Sequence, residues 1–340
     1  VDGSSCLAVA LARQLVFGGP TGPANIVELL GRNLVITDVS PSGRNDNIMI
    51  SYDPDTNEIV IMDPDNALST NVGTSDDGTI RVDADSIDGG IIVNSLLGDD
   101  SVKVDHGDGT FPFDIFYDGG AGDDVLTNTG GTGADNVDYS VGPDPTSGKI
   151  ETTNGSTQKI QFTGLEPVID LVPAATLTVN GTNAHNAINY TQGVNPSNGL
   201  VSVDNFETIE FANKGTLVIN GLAGSDTINL NNPTTPTGLT AIEVNGGDPT
   251  AGSDTGIVNG KRGSDWITVD TLTIDGAMVA GAQPVPVTID TAERLVINGQ
   301  GGTDSLTYVT PAGETINTFT PGVGPESGTI ESVNSGAGNG

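Results

Sequence analysis

Two nearly identical stretches, VINGLAGSDTINL (residues 218–230) and VINGQGGTDSLTY (residues 296–308), each place an aspartate six residues after the Asn of an Asn-Gly pair. A carboxylate beside a glycine-rich turn can do one of two things. With turn carbonyls it offers the hard oxygen donors that calcium takes. Alternatively it accepts backbone N–H groups and fixes a corner, as Asx side chains do in turns. Either role needs an element on each side to hold the turn. Here TLVIN precedes it and DTINL follows it, both short and rich in β-branched residues.

The motif recurs. Asn180, Asn220, Asn259 and Asn298 are spaced by 40, 39 and 39 residues; six residues after each comes Asn186, Asp226, Asp265 or Asp304, then Ile188, Ile228, Ile267 or Leu306. Looser copies pair Asn94 with Asp100 and Asp118 with Asp124, and VNGGDPTAGSD (residues 244–254) reads as the motif with an insertion. A second strand pair fills the period, as in LVSVDNFETIEF (residues 200–211) and VPVTIDTAERLVI (residues 285–297). One period is therefore two coils of ~20 residues or one large coil with loops. A lone strand–turn–strand cannot bury its apolar face, whereas stacked copies can, at ~4.8 Å per coil. Stacked asparagines can then hydrogen-bond along the axis, and the glycines can take the positive φ of a corner. The expected fold is all-β: a parallel β-helix (β-solenoid) with ~39-residue repeats. A β-propeller is the alternative, since about 40 residues also fit a four-stranded blade.

The chain has 340 residues, with 44 acidic and 11 basic side chains and a net charge of −33. Such a surface repels nucleic acid and anionic membranes, so neither is an expected partner, and it attracts divalent cations. No stretch approaches the ~20 apolar residues of a membrane helix. The single cysteine, Cys6, excludes an intramolecular disulfide and a cysteine-based zinc site. Four segments follow. Residues 1–31 hold the apolar CLAVALARQLVF (residues 6–17), a cap for the first coil or an element donated to a neighbour. Residues 32–90 read as irregular or antiparallel strands, residues 91–330 as solenoid repeats and residues 331–340 as a Gly-rich tail.

The turns resemble those of RTX (haemolysin-type) calcium-binding β-rolls. GGAGDDVLT (residues 119–127) and GGTGADNVD (residues 130–138) fit the Gly-Gly-x-Gly-x-Asp-x-apolar-x nonapeptide. GLAGSDTIN (221–229), GKRGSDWIT (260–268) and GQGGTDSLT (299–307) each miss only the second glycine. The resemblance implies calcium held by Asp124, Asp135, Asp226, Asp265 and Asp304. It covers about a fifth of the chain, and the spacing departs from tandem RTX repeats: the 119 and 130 turns are 11 residues apart rather than 9, and the others recur every ~39. The competing expectation is that these side chains bond backbone amides. In YDPDTNE (residues 52–58), Asp53, Asp55 and Glu58 suit a hairpin turn better than a calcium loop, which would need a central glycine.

Catalytic patterns are absent. The histidines, His106 and His185, stand in unrelated contexts; Trp266 is the only tryptophan, beside the basic pair Lys261 and Arg262. The expected function is a secreted, non-enzymatic structural protein, similar to repeat regions of bacterial surface and adhesin-like proteins. It would be extracellular or at the cell surface, forming a homo-oligomer, filament or surface layer through its solenoid ends. A calcium-stabilised adhesion module, with surface glycans as candidate partners, is the second expectation. A polysaccharide-active β-helix enzyme is the third.

Overall fold

The computed structural model describes residues 23–40, 43–107, 109, 111–247, 254–271, 276–310, 315–322 and 327–334. Cys6, the apolar stretch 6–17, the 248–253 insertion and the tail beyond residue 334 lie outside the described residues. The described secondary structure is β-strand, apart from a three-residue 3-10 helix at Ala84–Ser86. Two compact units form: Val1–Ala174 with Phe206–Ile209, and Ala175–Asn205 with Glu210–Gly340.

In the first unit each coil gives one strand to each of two sheets. Asn33–Asp38, Ile91–Asn94 and Ile115–Asp118 lie parallel in the first sheet. Asn47–Asp53, Ser101–Asp105 and Val125–Thr129 lie parallel in the second. Side chains alternate: in Ser101–Asp105, Val102 and Val104 are buried while Ser101, Lys103 and Asp105 face outward. Antiparallel strands decorate this frame. Asn25–Leu30 pairs with Asn33–Asp38, and Glu58–Met62 joins Asn47–Asp53 to Thr79–Asp83. These antiparallel strands are thus grafted onto a first solenoid coil. After Val125–Thr129 the chain returns to the first sheet and makes the meander Ala134–Val141, Gly148–Asn154, Ser156–Thr163, whose last strand lies parallel to Ile115–Asp118.

The second unit repeats this plan. Lys214–Asn220, Ala241–Asn245 and Val287–Asp290 run parallel in its first sheet. Ala187–Gln192, Thr227–Asn231, Thr255–Asn259 and Arg294–Asn298 run parallel in its second. A meander follows Thr255–Asn259, through Trp266–Thr271 and Ala277–Ala280 to Val287–Asp290. Like residues stack in register: Ile219, Val244 and Ile289 form one buried row, Leu217, Ile242 and Val287 the next. Branched side chains stack closely on a pleated surface, so the rows bury their apolar area with few lost rotamers. Parallel pairing between successive coils makes this a β-solenoid and excludes the antiparallel blades of a propeller.

Coil length is not uniform. Laddered asparagines are 40 residues apart at Asn180 and Asn220, 25 apart at Asn220 and Asn245, and 39 apart at Asn259 and Asn298. The short coil shifts the sequence repeat by half a turn. Asn180 and Asn220 end strands of the first sheet, whereas Asn259 and Asn298 end strands of the second. The four aligned copies therefore occupy two different corners.

Candidate functional site at the coil corners

Where the chain leaves one sheet for the other, its corner amides have no strand partner. Carboxylates one coil away supply the acceptors. In the first unit the Asp46 N–H donates to Asp100 Oδ1 at 2.7 Å, and the Asp100 N–H donates to Asp124 Oδ1 at 2.9 Å. In the second unit the Asn186 N–H donates to Asp226 Oδ1, the Asp226 N–H to Asp254 Oδ1 and the Asp254 N–H to Glu293 Oε2, at 2.7, 2.7 and 2.6 Å. At the return corner of that unit the Asp265 N–H donates to Asp304 Oδ1 at 2.9 Å, while Asp265 Oδ2 accepts the Lys261 N–H at 2.6 Å. Charge-assisted bonds of this kind are short and about twice as strong as neutral ones.

The five aspartates singled out in the sequence thus separate. Asp124 and Asp226 occupy the corner from the first sheet to the second, each in its own unit. Asp135, Asp265 and Asp304 belong to return corners. Asp135 is exposed, at the start of Ala134–Val141. The two best nonapeptides, at 119 and 130, lie at opposite corners of one coil. Of the five, Asp265 and Asp304 meet.

Asp46 and Glu293 belong to the same columns and carry no motif. Asp46 follows the irregular SPSGR run, and Glu293 sits in a three-residue corner without Asn-Gly. Only stacking identifies them.

The first-unit column is the more buried. Asp100 and Asp46 are each 2% exposed and Asp124 is fully buried. Burial, reinforced by neighbouring carboxylates, pushes the Asp46 and Asp100 carboxyls up to about 7. Burial also raises Asp124 and Asp226, against the backbone amides that lower them.

Other candidates have structural partners. His106 Nδ1 accepts the Phe111 N–H at 3.0 Å, and its Nε2 lies 2.8 Å from Asn128 Oδ1, so Nε2 carries the proton. His185 Nδ1 accepts the Ser225 N–H at 2.6 Å. Asp53 Oδ1 accepts the Asp55 and Thr56 amides, and Arg81 lies 3.4 Å from both Asp53 and Glu58, as a hairpin turn requires. Trp266 is 84% exposed. A groove of about 430 Å³ in the first unit is lined by Tyr52, Asn57, Asp85, Asp88 and Phe113, among others. Among the described residues, no three His, Cys, Asp or Glu side chains converge closely enough to hold a metal by themselves. The chain matches no family model, no curated protein and no solved structure.

Proposed function

We propose that this chain is a structural β-solenoid protein of the cell surface or extracellular space, assembling with copies of itself through its coil ends. The supporting observation is the last coil of the second unit. Ser305–Val309 lies parallel to Trp266–Thr271, and its other edge has no partner among the described strands. Leu306 is 51% exposed, whereas Ile267, beside it in register, is 3% exposed. Ile297 is half-buried beside the fully buried Val258. A core cut open in this way, with free backbone groups around it, is a template for another coil. In the first unit, by contrast, the outermost strands, Leu68–Thr70 and Thr74–Asp76, are short and mostly polar. The apolar stretch at 6–17 has the composition to cover such an opening in a second copy.

Light scattering after size exclusion, with and without calcium, tests the reading. The expected result is a polymer that grows with protein concentration and falls to a monomer of about 34.4 kDa in Leu306→Asp. A parent that stays monomeric at every concentration in both buffers overturns it. A calcium-stabilised glycan-binding module is the second reading, favoured by the groove in which Tyr52 and Phe113 rings stand beside Asp85 and Asp88. Glycan-array binding lost in Tyr52→Ala would support it.

A further inference from the structure

The corner of the first unit contains more unanswered polar chemistry than an architectural corner needs. The Oδ1 atoms of Asp100 and Asp124 accept amides, but the Oδ2 atoms of Asp38, Asp46, Asp100 and Asp124 make no hydrogen bond and are shielded from solvent. A neutral group nearby is in the same condition. The fully buried Asn25 carboxamide turns its N–H toward the Asp46 carboxyl and its Oδ1 makes no hydrogen bond, while the buried hydroxyls of Ser95 and Tyr117 have only one another. Native interiors leave few such groups, because each costs about 1–3 kcal/mol. Here they gather at one end of one core.

Charge sharpens the problem. Asp38, Asp46, Asp63, Asp100 and Asp124 act on one another across this column, and the cation that reaches it is Arg44, which acts on Asp38. Asp63 accepts the Asn47, Asp65 and Asn66 amides, and its carboxyl also meets that of Asp46, which adds to the crowding of like groups. Stacked anionic carboxylates in a low-dielectric core without a counter-charge are not tolerated. The second unit shows the same corner partly relieved, with Asp226 Oδ2 the one carboxylate oxygen of its column left buried without a partner among the described residues. There Asn186 replaces one aspartate and donates through Nδ2 to Asp204 Oδ2 at 2.7 Å.

We propose that the first-unit column binds a hard divalent cation, with calcium as the ion its donors fit, between Asp46 and Asp100 and with the Asn25 carboxamide oxygen as a neutral ligand. Every free donor is oxygen, and none is nitrogen or sulfur in the imidazole or thiolate sense, which favours calcium over zinc or copper. Since no three carboxylates converge, the coordination is mixed: two carboxylates completed by carboxamide, hydroxyl and backbone oxygens. This is an interior site, distinct from an ion shared between glycine turns, and it does not depend on assembly through the coil ends.

Tyrosine-sensitised terbium luminescence tests it on the full chain stripped with chelator. Tyr117 is fully buried and lies among Asp46, Asp100 and Asp124, so it is placed to transfer energy to a lanthanide in the column. The expected result is saturable emission, displaced by calcium and not by equal magnesium. Tyr117→Phe should lose most of the emission while calcium still raises the melting temperature. Asp100→Asn keeps an oxygen for the Asp46 N–H, so it should fold, and it should weaken calcium binding about 10-fold or more. Asp46→Asn is the second variant and should behave alike. Asp226→Asn, in the other unit, should leave the emission unchanged. Absence of sensitised emission overturns the proposal. So does an Asp100→Asn protein that melts at or above the parent temperature in saturating calcium, since the column would then be neutralised by protons or water.

Discussion

Asn220 Nδ2 donates to Asn180 Oδ1 at 2.9 Å across 40 residues of sequence. The chain of amides continues, with Asn245 Nδ2 donating to Asn220 Oδ1 at 2.9 Å. A second ladder joins Asn189, Asn229, Asn259 and Asn298. An Asn side chain suits this use because it carries both donor and acceptor, so identical residues can satisfy each other indefinitely.

Removing a rung should therefore cost more than an ordinary surface substitution. Asn220→Ala loses two bonds and strands two partners, and is expected to lower unfolding free energy by about 1–3 kcal/mol. Asn154→Ala, at an exposed hairpin turn, should stay within about 0.5 kcal/mol of the parent. Urea unfolding of the two variants compares them directly; equal midpoints would remove the ladder from the list of stabilising features.

The corner carboxylates are predicted to act as acceptors more than as charges. Asp226→Asn retains an oxygen for the Asn186 N–H, so its stability in chelator should equal or exceed that of the parent. Asp226→Ala leaves that buried N–H unanswered and should lose about 1–3 kcal/mol. If both variants fall equally in chemical denaturation, the charge itself matters.

Two glycines mark where coils approach most closely. Gly122 has φ +147°, and a Cβ there would meet the Gly98 carbonyl oxygen one coil away. Gly247 has φ +122°, and a Cβ would meet the Leu222 carbonyl oxygen. Alanine at either site forces the coils apart and should lower the melting temperature by several degrees, on the order of 2 kcal/mol or more. Gly263→Ala, where a Cβ meets open space, is the control. A normal melting curve for Gly122→Ala would contradict the coil spacing described here.

Acid should stabilise the chelated protein. Asp46 and Asp100 rise from 3.8 to about 7, and Glu207 rises from 4.5 to about 7, all chiefly through burial. Between the unfolded and folded values the folded state binds more protons, so stability falls as pH rises through about 4 to 7. Arg44, Asp38, Asp63 and Asp124 surround the aspartate pair and set the size of the effect. Calorimetry in chelator should give a higher melting temperature at pH 5 than at pH 7.5, with a smaller difference in Asp100→Asn. A melting temperature flat across that range would rule out buried, raised carboxyls.

Much of the fold is legible in the sequence because its signals are local. Alternating apolar residues declare the strands, Asn-Gly and Gly-rich runs declare the corners, and a near-constant period declares stacking. The possibility of an asparagine ladder follows from the repeat alone. Phase does not. The 25-residue coil between Asn220 and Asn245 and the antiparallel meanders shift later copies to the opposite corner, so residues aligned in sequence do not align in space. Nor does the place of Asp46 in the column, since it lacks the Gly-Asp-Asp turn that Asp100 and Asp124 share. What the sequence by itself determined is the strand-and-corner grammar, because backbone preference and side-chain period act within a few residues. Which carboxylates share a buried column was decided only by the tertiary structure, because register between coils depends on how much chain each coil consumes.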